Sequence, residues 1–183
     1  GADFVIVTFQ VGGLEAYAHD VEIPRKYGLD QCVGDTLGPG GVFRGLRSMA
    51  ALELIARDMR QVCPNALLIQ YANPMSINCW YTAEAGIKNV GLCHSVSGTS
   101  EKLAQIMGFE PGSWSFRCAG INHQAWFLEF THQGRDVLPA LRRQVNAFSQ
   151  GAGVAVSNDS DELYGGRREQ VPNAIMNLTG DFQ

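Results

Sequence analysis

The chain has 183 residues, 45% of them hydrophobic and 17% charged, with a formal net charge of −4. This is the profile of a folded globular protein with a substantial core, not of a disordered tail. The acidic balance argues against a broad nucleic-acid or anionic-membrane surface, and no apolar run nears the roughly 20 residues that a bilayer span needs.

The run "DFVIVTF" near the start is continuous, apolar and rich in β-branched residues. It reads as a strand buried on both faces, as in a parallel sheet. After it come a glycine turn and a short helical piece interrupted by Pro24. "GPGG" reads as non-helical, and a helix period begins at Val42 and runs through Val62, where Pro64 stops it. "NALLIQYANP" is a second buried strand closed by Asn73-Pro74, and a helix is expected over Ser76 to Glu84. "KNVGL" gives a third strand, and Ser97 to Met107 a further helix. Alternating strands and helices argue for an α/β fold with a doubly wound parallel sheet.

After Gly108 the character changes. "SFRCAGINH" and "QAWFLEFTHQGRDV" read as strands, the second turning at Gln133-Gly134. "LPALRRQVNAFSQ" reads as a helix, "GAGVAVSNDSDE" as a connection, and "LYGGRREQVPNAIMNLTG" as a weaker helical stretch.

In an open parallel sheet, ligands bind beyond the carboxyl ends of the strands. Three junctions qualify: Gln10 to Gly13, Asn73-Pro74 and Cys93-His94. A single cysteine at such a place is ordinarily structural, because Cys packs like a small hydrophobe. His123, with Asn122 beside it, lies between two expected strands and could be a core histidine. Alternatively, Cys93 and His123 are ligands of one divalent cation, since thiolate and imidazole both suit first-row transition metals. Two protein ligands leave positions open, as a catalytic site requires. Asp35 is either a helix N-cap or a carboxylate aimed into the site. Asn73 either closes a turn or binds a ligand hydroxyl. The five cysteines (Cys32, Cys63, Cys79, Cys93 and Cys118) are odd in number and form no C-x-x-C pair. Reduced thiols in a cytoplasmic protein are the expectation. No stretch reads as a secretory leader.

The stretches "ADFVIVTFQVGG", "DTLGPGG", "VCPNALLIQYANPMSIN", "VGLCHSVSGTSEKLA" and "RCAGINHQAWFLEF" occur in this order. Together they resemble the NAD-dependent family 4 glycoside hydrolases, above all the α-galactosidase branch. The resemblance implies a Rossmann-like doubly wound sheet, of which this chain carries the C-terminal half, followed by the start of an α+β substrate and oligomerisation domain. On that reading residues 1–108 belong to the NAD-binding domain and 109–183 open the C-terminal catalytic domain. The chain is then expected to be the middle of a longer protein. The pyrophosphate-binding turn would precede it, and the tyrosine base would follow it.

The resemblance further implies NAD and Mn²⁺, or another divalent cation, as cofactors. Cys93 and His123 match the metal ligands, and Asn73 a substrate-binding asparagine. Asn122 is a second candidate for binding substrate, and Asp35 matches an acidic residue that supports the base. Phe9 and Gln10 would border the nicotinamide, mainly through backbone atoms. His94 would give a proton to the leaving group or only support its neighbours. It stands where the phospho-glycosidase branch has an aspartate, and Tyr17 near where that branch has a phosphate-binding arginine. Both departures point to an unphosphorylated hexoside. The implied reaction is oxidation at C3, elimination of the aglycone from C1, addition of water and reduction, outside the two-carboxylate scheme. The implied partners are a glycoside substrate and further copies of the chain, as dimer or tetramer. The alternatives are an α-glucosidase or α-glucuronidase of the same family, a lactate/malate-type dehydrogenase, and an inactive fragment or metal-binding module. For the dehydrogenase, the needed Arg/His/Asp set is not found. The segment by itself is expected to turn over nothing.

Overall fold

A computed structural model describes residues 1–31 and 33–149, and the side chains of its last helix as far as Gln144. The connection and weak helix expected after residue 150, and Cys32, lie outside the described residues. The chain divides into two units, Gly1–Cys93 and His94–Gln183.

The first unit is built on three parallel strands in the order β1-β2-β3, with β1 at Phe4–Val7, β2 at Leu67–Gln70 and β3 at Asn89–Gly91. The helices are α1 (Gly13–Lys26) and α2 (Gly38–Val62) between β1 and β2, and α3 (Met75–Glu84) between β2 and β3. Pro24 falls in the last turn of α1, and the helix ends two residues later. The core joins one sheet face to α2: Val7 and Leu68 pack with Leu52, Ala56 and Met59, and Ile87 completes the cluster. Leu52 and Leu68 are fully buried, each contributing about 1.5–3 kcal/mol by burial.

Two expectations fail here. Phe4 and Ile6 are each 62% exposed, so β1 is not buried on both faces. Val5 and Val7 point into the α2 side; Phe4 and Ile6 alternate to the other face, together with Val90, also exposed. A continuous apolar run is read as doubly covered, but among the described residues only one face carries a core. Second, "GPGG" is helical, because α2 begins at Gly38. Pro39 occupies the first turn, where its missing N–H would have no helical partner anyway. The glycines serve packing. A Cβ on Gly40 would lie 2.6 Å from the carbonyl oxygens of both Asp20 and Gly34, so only glycine lets the α2 start press against α1 and the preceding loop.

The same contact is fixed by polar bonds. Gln31 Nε2 donates to the Asp20 carbonyl (2.9 Å), and its Oε1 accepts from the Gly40 N–H (2.9 Å). The buried Asp20 carboxylate accepts from both terminal nitrogens of Arg47, tying α1 to α2.

The second unit has α4 (Ser95–Ile106), an antiparallel sheet of β4 (Trp114–Ile121), β5 (Gln124–His132) and β6 (Arg135–Asp136), and α5 (Leu138–Ser149). The strands turn at Asn122-His123 and at Gln133-Gly134, with φ of 50° and 74° at the latter pair. Positive φ at both central residues suits the right-handed twist of a two-residue hairpin. A bulge shifts the β4–β5 register between Arg117 and Cys118. The core gathers Leu103, Ala104, Phe127, Phe130 and Leu141.

Candidate functional site

Parallel pairing brings the chain ends after β1, β2 and β3 to one edge of the sheet. The Tyr71 N–H bonds the Val7 carbonyl (2.9 Å), and the Leu92 N–H bonds the Gln70 carbonyl (3.0 Å). Gln10, Asn73 and Cys93 therefore follow three neighbouring strands on the same side.

Three of the expected residues meet there in one network. The Asn73 amide Nδ2 donates to Asp35 Oδ2 (2.9 Å), and Asp35 Oδ1 accepts from the Thr36 hydroxyl (2.9 Å). Asp35 and Asn73 are both half-buried. Arg44 of α2 donates from Nε to the Asn73 carbonyl (3.0 Å) and from Nη2 to Gln10 Oε1 (3.3 Å). Gln10 Nε2 in turn donates to the Gly13 carbonyl (2.8 Å), at the start of α1. The Arg44 guanidinium carbon lies 5.6 Å from the centroid of the Tyr17 ring. The Asn73-Pro74 peptide is cis, and Pro74 packs against the position of Gly45 on α2. Phe9 is partly buried against the first core.

Arg44 escaped the reading of the sequence. The available signal was "FRGLR", two arginines one helical turn apart just after a glycine-rich helix start. The carbonyl that Arg44 meets is 29 positions away, beyond the reach of any local pattern.

Cys93 closes the first unit and is half-buried. His94 is the N-cap residue of α4 and is exposed. Asn122 and His123 are both half-buried and form the turn between β4 and β5, with His123 in left-handed backbone at φ 63°. Histidine is among the few non-glycine residues that tolerate this region, and such backbone gathers at functional positions. Burial pushes the Cys79 and Cys118 thiols up, which keeps both protonated and disfavours them as metal ligands. Among the described residues no group of three or more His, Cys, Asp or Glu side chains is placed to hold a metal, so a cation held by the described residues would rest on a smaller donor set.

The fold and this edge define an α/β protein of Rossmann type with a polar, hydrogen-bonded site beyond its strands. The sequence profile of family 4 glycosyl hydrolases matches residues 1–109, and that of the family's C-terminal domain matches residues 118–179. An alpha-galactosidase of Rhizobium meliloti (strain 1021) is 46% identical over 139 residues, covering 75% of this chain and 28% of that protein. One from Bacillus subtilis (strain 168) is 42% identical over 145 residues, covering 78% and 34%. An alpha-galacturonidase of Thermoanaerobacter italicus is 34% identical over 188 residues, covering 98% of this chain and 41% of that one. Among solved structures, lplD of Bacillus subtilis superimposes with a TM-score of 0.79 at 33% identity, covering 88% of this chain and 39% of that one. A 6-phospho-alpha-glucosidase from gut microorganisms, solved in complex with NAD and Mn²⁺, gives a TM-score of 0.68 at 25% identity, covering 78% and 33%. The chain belongs to glycosyl hydrolase family 4, in its α-galactosidase-like branch. It spans between 28% and 41% of the length of these curated relatives.

Proposed function

We propose that this chain is the sheet-edge and hairpin part of a cytoplasmic, oligomeric α-galactosidase that works with NAD and a divalent cation, Mn²⁺ by preference. What supports the reading is the Asp35–Asn73–Arg44–Gln10 network at the carboxyl edge of the parallel sheet, in a chain of this family. Residues 1–108 would serve the nucleotide, and 109–183 would open the catalytic domain. When bound, the cofactors supply a reversible hydride acceptor for C3 and Lewis-acid support for the adjoining sugar oxygens.

The chain's own residues then have separate tasks. Cys93 and His123 would hold the cation; thiolate and imidazole are compatible donors, and a two-residue set leaves positions for sugar hydroxyls. The Asn73 amide has two N–H groups and a carbonyl, so its bond to Asp35 uses one donor of that set. Its remaining capacity would orient a sugar hydroxyl. Asn122 would add a second amide to the substrate. Asp35, held by Asn73 and Thr36, would keep a negative charge beside the base that removes the C2 proton. Exposed His94 would protonate the leaving oxygen, since a protonated imidazole can donate from either ring nitrogen. Phe9 and Gln10 would border the nicotinamide.

Substrate choice follows from Tyr17. A phenol there cannot grip a phosphate bidentately, and the guanidinium beside it already donates to two neutral oxygens. An unphosphorylated galactoside is the substrate this supports. The complete enzyme, dialysed against chelator, should lose hydrolysis of nitrophenyl α-galactoside and regain it only with both NAD⁺ and Mn²⁺. A substrate deuterated at C2 should react more slowly. Full activity after chelation and dialysis would contradict the reading, and faster turnover of the α-galacturonide would reassign the sugar.

A further inference from the structure

The sheet edge contains a charge that the reaction above does not use. Arg44 is only 8% exposed. Its bonded acceptors, the Asn73 carbonyl and Gln10 Oε1, are both neutral. Burying a guanidinium is costly unless its donors are satisfied in good geometry. Filling the space between α2 and the strand ends does not require one; an apolar side chain would pack there at lower cost. What the guanidinium alone provides is a rigid fork that reaches two acceptors at fixed angles. Those two acceptors belong to the residues following β1 and β2.

We propose that Arg44 is a positioning residue for the site, setting the aim of the Asn73 amide by clamping its backbone to Gln10; this rests on the reading of Asn73 as a substrate-binding residue. The Asn73 side chain is fixed at one end by Asp35. Its backbone is fixed at the other by Arg44 Nε at 3.0 Å. The Tyr17 ring lies against the guanidinium at 5.6 Å and limits its swing. Asn73 is thereby held at both ends before a sugar arrives. The two donors that do this, Nε and Nη2, are both engaged with protein oxygens.

Lysine keeps the charge but not the fork, so Arg44→Lys tests the geometry and not the electrostatics. In the complete enzyme, kcat on nitrophenyl α-galactoside should fall about 10–100-fold, the scale of a misplacement near 1 Å, with KM changed less than about threefold. Arg44→Gln, neutral and shorter, is the second variant if lysine prevents folding. The deciding measurement is a double-mutant cycle with Asn73→Ala. If Arg44 acts through Asn73, either Arg44 variant should cost less than about threefold once Asn73 is alanine. An equal loss in both backgrounds would overturn the positioning role and leave Arg44 a packing residue. If Asn73→Ala alone keeps full activity, the substrate-binding reading of Asn73 fails, and this inference fails with it; that result is separate from an impaired Asn73→Ala with additive losses.

Discussion

At Cys79 and Cys118, burial pushes the thiol above its ordinary range. Cys79 Sγ lies 3.0 Å from where a Cβ on Gly91 would stand, so β3 and α3 close over it. Cys118 sits at the bulge of β4. A thiol whose folded pKa is raised contributes stability that is fully present below the unfolded value and is lost as pH rises through the folded one. The native state holds the neutral form, and the unfolded chain releases its proton first. The midpoint of urea unfolding should therefore fall across the alkaline thiol range, and Cys79→Ala should flatten part of that fall. Iodoacetamide at pH 7.5–8 should leave both thiols largely unmodified in the folded protein, as followed by mass spectrometry of the peptides. Rapid labelling of Cys79 under native conditions would contradict its burial. The same physics explains why the five cysteines could not be ranked by composition alone: reactivity depends on what covers each sulfur, and that is a tertiary property.

At the scale of elements, two glycines in helices should answer substitution in opposite ways. Gly40 lies in the first turn of α2, where an alanine methyl would meet two backbone carbonyls at 2.6 Å that belong to other segments. Neither obstacle is a flexible side-chain tip, so Gly40→Ala should lose about 1–3 kcal/mol, the scale of overpacking. Gly98 lies within α4 with open space around its Cβ direction. There alanine removes backbone freedom from the unfolded chain and should add about 0.5–1 kcal/mol. Urea titrations of the two variants beside the parent check both signs. Helices and strands were largely legible because their signals are local: a β-branched run for β1, a short apolar run closed by Asn73-Pro74 for β2, turn chemistry at Gln133-Gly134. The start of α2 was not, since "GPGG" has poor helical propensity and is used for close approach to Asp20 and Gly34, segments that the local pattern does not reveal. The exposure of Phe4 and Ile6 was hidden for the same reason: alternation tells which residues share a face, not whether anything packs on it.

For the whole molecule, the legible part of the site was the set of strand ends. Gln10 and Asn73 share one hydrogen-bonded network because parallel pairing delivers their segments to one edge, and Asp35, from the loop before α2, joins it through Asn73. Arg44, which links them, was invisible because its partners are tertiary. The proposed cation makes a demand at this larger scale, because its two expected ligands, Cys93 and His123, lie 30 residues apart in the sequence. A cation bound by both in the native state, and by neither in the unfolded chain, stabilises the fold by mass action, about 2.7 kcal/mol at a hundredfold excess over Kd. Added Mn²⁺ should therefore raise the thermal midpoint of the complete enzyme, in proportion to the logarithm of its concentration once saturating. Cys93→Ser and His123→Ala should each abolish most of that rise, and the double variant should lose no more than either single one, since a two-ligand site fails when one ligand goes. Cys79→Ala should leave the rise intact. Mg²⁺, which prefers oxygen ligands and keeps its water, should raise the midpoint much less. A Mn²⁺-dependent rise that survives in both single variants would place the cation on other residues, and the assignment of Cys93 and His123 would have to be abandoned.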